Sequence, residues 1–203
     1  MYRSRSRNSQ TLPVNLMNAS EQAVRIAIFA TTGVLSVVQD LIGRVLEAVE
    51  MADPELVAEE TLCLAATATA RAAEVGLRER PALARVVPSA LMALPFTYRD
   101  YLLGSLLLRQ KEVSWLEEAG REIYNRLQRK QAFYEAHLPA GQFPGERMLG
   151  EKMALWMGRI SPPGLPELPQ ERMERLELVP VLHTHLRLIL SFCRQVVMEG
   201  QEQ

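Results

Sequence analysis

The first residues whose type and spacing could do chemistry are the two histidines of "HTH", His183 and His185. On a strand, positions i and i+2 share a face and could hold one ion together. On a helix they point about 200° apart. Leu182, Leu186, Ile189, Cys193 and Val196 recur around them at helical spacing, so the pair is expected to diverge. With no HExxH and no paired ExxH, the zincin and carboxylate-bundle di-iron patterns are unmet. No metal and no other cofactor is expected.

The thiols come next. Cys63 in "TLCLAA" and Cys193 in "LILSFCRQVV" are the only two cysteines, too few for a disulfide framework. Each lies in an apolar run and reads as a buried, reduced thiol, which points to the cytoplasm or another reducing compartment. There is no GxSxG, no Walker glycine loop and no GxGxxG, so the chain is not expected to be an enzyme. Catalysis would have to come from scattered residues such as Glu47, Glu50 or Glu59 with His137.

The third group is basic. "EEAGREIYNRLQRKQAFYEAHL", residues 117–138, carries Arg121, Arg126, Arg129 and Lys130 interleaved with Tyr124 and Tyr134, the texture of a nucleic-acid-binding helix. "EEAG" followed by "IYNRL" resembles the recognition-helix region of TetR-type repressors over about a tenth of the chain. It lacks the residues that form the turn and sits mid-chain, so no fold or function is taken from it. Glu117 to Arg121 and Glu122 to Arg126 are i,i+4 pairs in the favourable order and read as a solvated, ion-paired face. At the start, "MYRSRSRNSQ" places Arg3, Arg5 and Arg7 ahead of any acidic residue. It reads as a disordered basic arm, and its arginines together with Arg121, Arg126, Arg129 and Lys130 are the candidate contacts for nucleic acid or an anionic surface.

The elements that must position these residues are helical throughout. In "RIAIFATTGVLSVVQDLIGRVLEAVE", residues 25–50, the polar residues Arg25, Thr32, Ser36, Gln39, Gly43, Glu47 and Glu50 gather on one stripe at about 100° per residue, joined by Glu21. Phe29 is the exception. The rest of that cylinder is apolar, so a central bundle helix is expected, or one partly covered by a second copy of the chain. Fourteen uncharged residues lie between Arg25 and Asp40. They extend about 21 Å against a hydrocarbon core of about 30 Å, so no membrane span is expected.

Asp53 and Pro54 read as the N-cap and first position of an alanine-rich helix to about Leu77. Pro81 opens a short helix that stops near Pro88 or Pro95. Tyr98 to His137 can run as one long helix, with a break between Arg109 and Ser114 as the alternative. An amphipathic helix follows "PAGQFPG", burying Leu149, Met153, Trp156, Met157 and Ile160. "SPPGLPELP" is a stiff proline-rich connector at 161–169, with Pro163, Pro166 and Pro169 every third residue. The last helix runs from about Gln170 to Glu199 and is kinked or split by Pro180.

No period-two strand pattern and no internal repeat occurs. The 203 residues carry 23 basic and 24 acidic side chains, a net charge of −1 that gives no overall field for nucleic acid or membrane. The expected architecture is all-α: a basic arm at 1–18, then one helical bundle of six or seven helices at 19–200. The expected function is a soluble, non-catalytic interaction or assembly protein, structural or scaffolding, that associates with itself or with a protein partner. The alternative is a nucleic-acid-binding regulator or packaging protein using the arm, and the third reading is an enzyme without a recognisable motif.

Overall fold

The computed structural model describes residues 14–49, 52–108, 113–161 and 174–199. Among the described residues there are seven helices and no strand. They are α1 (Val14–Ala48), α2 (Pro54–Gly76), α3 (Pro81–Met92), α4 (Leu94–Leu107), α5 (Val113–His137), α6 (Glu146–Ile160) and α7 (Leu178–Glu199). The all-helical expectation holds. α1 starts at Val14, inside the segment assigned to the arm. Arg3, Arg5, Arg7 and the connector beyond Ser161 lie outside the described residues.

The middle of the bundle is α2, not α1. Asp53 caps α2, its carboxylate accepting from the Glu55 and Leu56 backbone N–H groups at 2.9 and 3.4 Å, and Pro54 follows as the first helical residue. Every residue from Glu59 to Ala73 is buried, and α2 packs against α1, α3, α4, α5, α6 and α7. Alanine and threonine make this arrangement physically workable. Their short side chains let neighbouring backbones approach from all sides, and the Thr61 and Thr67 hydroxyls donate to the carbonyls of Val57 and Cys63 one turn back. At Gly76 an added Cβ would sit 2.6 Å from the Cys193 Cβ of α7, so even alanine is too large there.

α1 lies at the edge. Ile26, Ala30, Val34, Val37, Val38, Leu41 and Val45 are buried against the bundle. Gly33 lets His185 of α7 approach, Phe29 stacks on Phe192 at 4.1 Å between ring centroids, and the Arg44 guanidinium donates to the Leu176 carbonyl at 3.0 Å. The expectation of a central helix covered on most sides therefore fails, and part of the apolar cylinder is left uncovered by the bundle. Leu35 is exposed, and so are Val24, Ile28 and Leu46. By length and composition the stretch Ala19–Ala48 also suffices to cross a membrane, with a window of mean hydropathy 1.7 of which 33% is buried. The uncharged run alone is too short, and lengthening it brings in Arg25, Asp40 and Arg44, each a heavy cost at bilayer depth. A window that admits two charged residues is long enough.

The long helix expected over 98–137 is two helices. α4 and α5 pack against each other in antiparallel fashion, with Phe96 against Tyr124 at 5.0 Å and Leu103 against Gly120. α3 carries Pro88 within it and ends at Met92, and Pro95 falls in the first turn of α4. Pro180 acts similarly. The chain turns at Leu176 and Glu177, the latter with φ 52°, and α7 begins at Leu178. Pro180 thus occupies a first turn, where its missing N–H has no partner to lose.

Candidate functional site

Two adjacent glutamates on α2, Glu59 and Glu60, are each only 1% exposed. A buried carboxylate is costly unless paired and hydrogen-bonded, and two helices, α5 and α6, supply the partners. Arg126 of α5 grips Glu59 with Nε at 2.8 Å from Oε2 and Nη2 at 2.5 Å from Oε1, and its Nη2 also reaches Glu55 at 2.6 Å. Lys130, one turn further, places Nζ 2.7 Å from Glu59 and 3.7 Å from Glu60. Arg159 of α6 holds both oxygens of Glu60 at 2.8 and 2.7 Å, and the Tyr134 hydroxyl donates to Glu60 at 2.6 Å. The Arg159 guanidinium also lies over the Phe133 ring, 4.2 Å from its centroid.

Three carboxylates thus meet three cations, and every oxygen of Glu59 and Glu60 has a partner. The electrostatics follow from this closure. Hydrogen bonds to Glu59 and Glu60 push the Arg126 and Arg159 guanidinium pKa values upward. Burial, then the charge of Glu60, raises the Tyr134 phenol and the neighbouring Cys63 thiol, so both stay protonated. A thiol held protonated is a poor nucleophile, and each oxygen of Glu59 and Glu60 is engaged by a neighbouring donor. In this arrangement the cluster fastens α2 to α5 and α6. A second polar contact extends the seam. Arg71 donates to the Leu138 carbonyl at 2.9 Å and pairs with Glu74, which in turn accepts from the Gly141 N–H.

The basic run of α5 is divided by this packing. Arg126 and Lys130 turn inward to the α2 glutamates, while Arg121 and Arg129 remain exposed on the outer side. Arg126 finds its partners across the helix interface rather than along its own helix at Glu122. Sequence spacing could not show that, because α2 and α5 lie far apart in the chain. A signal was nonetheless present: two consecutive acidic residues within an alanine-rich apolar helix, and Arg126, Lys130 and Tyr134 four apart on one face of another.

The two histidines diverge as a helix requires. His183 faces Glu146 of α6 with Nδ1 3.0 Å from Oε1, and His185 is buried with Nε2 2.9 Å from the Thr69 hydroxyl of α2. Burial lowers the His185 pKa to about 4. Glu59 and His137 have separate partners, since His137 Nδ1 lies 2.6 Å from the Phe133 carbonyl and must carry its proton there. Glu47 is exposed, and Glu50 lies outside the described residues. Among the described residues no group of three or more His, Cys, Asp or Glu is placed to hold a metal ion.

The bundle also leaves apolar groups open. Besides the outer side of α1, the end of the α4–α5 hairpin exposes Tyr101, Leu107, Leu108 and Trp115. Beside them runs an open groove of about 680 Å³, lined by Arg99, Leu103, Leu116, Gly120, Arg121 and Tyr124 among others. Comparison with protein-family models, with curated proteins and with solved structures finds no match for this chain.

Proposed function

We propose that this chain is a non-catalytic helical interaction or assembly protein that associates with copies of itself. The observation that carries the reading is the uncovered apolar surface. Val24, Ile28, Leu35 and Leu46 stand out from one side of α1, and contiguous apolar surface of this kind on a folded chain marks an interaction site. The reading includes a protein that is soluble without detergent and works in a reducing compartment such as the cytoplasm, its two cysteines being free thiols. Sedimentation equilibrium over a range of concentrations tests it, and a monomer at every concentration would refute it.

A nucleic-acid-binding regulator or packaging protein is the second reading, favoured by the exposure of Arg121 and Arg129. If Arg3, Arg5 and Arg7 each neutralise a phosphate on duplex DNA, log K falls with log salt at a slope of roughly −2.7, and deleting residues 1–10 removes nearly all of it. Arg126 and Lys130 contribute nothing to this slope, because their charges are already matched inside the bundle. The same sedimentation run with added DNA at two salt concentrations separates the readings: no binding at low salt removes the second.

A further inference from the structure

We draw no further inference here: the strongest candidate, the open groove between α4 and α5 floored by Leu103, Leu107 and Leu116, carries Arg99, Arg121 and Glu117 together on its walls, so its charge selects no occupant and nothing in the structure shows what covers it.

Discussion

Acidification isolates one side chain at the junction of three helices. His185 on α7 lies against Gly33 of α1, where an added Cβ would come within 2.7 Å of its Cε1, and it shares a hydrogen bond with Thr69 of α2. Burial lowers its pKa from 6.5 to about 4. The sign follows from which state binds the proton. Below about pH 6.5 the unfolded chain takes up a proton that the folded chain refuses until about pH 4, so stability is full above the unfolded value and falls as pH drops between the two. Integrating that difference from about pH 8 to about pH 5 gives a loss of about 2 kcal/mol from this residue alone. With a urea dependence of about 2–3 kcal/mol per molar, the unfolding midpoint moves by about 0.7–1 M.

Acid acts on more than this one side chain, so the measurement must be a difference. His185→Gln keeps an amide within reach of the Thr69 hydroxyl and removes the titration. Urea midpoints of the parent and the variant at about pH 8, 6 and 5 are expected to converge by the equivalent of about 2 kcal/mol as pH falls. Midpoints that decline in parallel over the whole range would refute the assignment, because the acid sensitivity would then lie elsewhere.

Four further outcomes are expected. Glu60→Ala strips Arg159, Tyr134 and Lys130 of a shared partner and should cost about 3–5 kcal/mol, read as a fall in melting temperature; a change within a few tenths of a kcal/mol would mean the cluster does not fasten the helices. Gly76→Ala drives a Cβ into the Cys193 Cβ and to 3.3 Å from the Leu190 carbonyl, a loss of about 1–3 kcal/mol, whereas Gly43→Ala meets nothing within 4 Å and should be neutral or stabilising by up to about 1 kcal/mol; equal melts for the two would contradict the close approach of α2 and α7. Val38→Asp, at 8% exposure, should abolish folding while Leu35→Asp leaves the far-ultraviolet spectrum intact, and the reverse order would mean the rotation of α1 is misassigned. Burial raises the Cys193 thiol to about 12 and Cys63 in the same direction, so neither should react with a disulfide reagent at about pH 8 until urea is added; fast native labelling would place a thiol at the surface.

The sequence carried the helical class well because its signals are local. The Asp53 cap, the proline positions and the 3.6-residue period each act within a turn or two. It failed where the outcome depends on what a surface meets. The 25–50 segment is the more hydrophobic, yet the centre belongs to the alanine-rich α2, since hydropathy scores the residue and not its coverage. The divergence of His183 and His185 followed from helix geometry alone. That Arg126 and Lys130 turn inward did not, because it depends on which distant helix packs alongside and on the two glutamates it brings.

The distribution of side-chain size bears on what the bundle is for. A monomer gains most by burying its largest apolar groups and leaving small or polar ones outside. Here the most enclosed helix is filled with alanine and threonine, while Val24, Ile28, Leu35 and Leu46 are left on the outside of a neighbour. Small residues at the centre let six helices gather round one, and a network of three carboxylates and three cations fixes two of them in register. Neither device needs α1 to carry branched apolar residues outward. Had that face been solvent-facing in the working protein, polar residues there would have cost the fold nothing, as the stripe from Glu21 to Glu47 on the same helix demonstrates. The contact outside the chain proposed above would account for the apolar stripe that the bundle itself leaves uncovered.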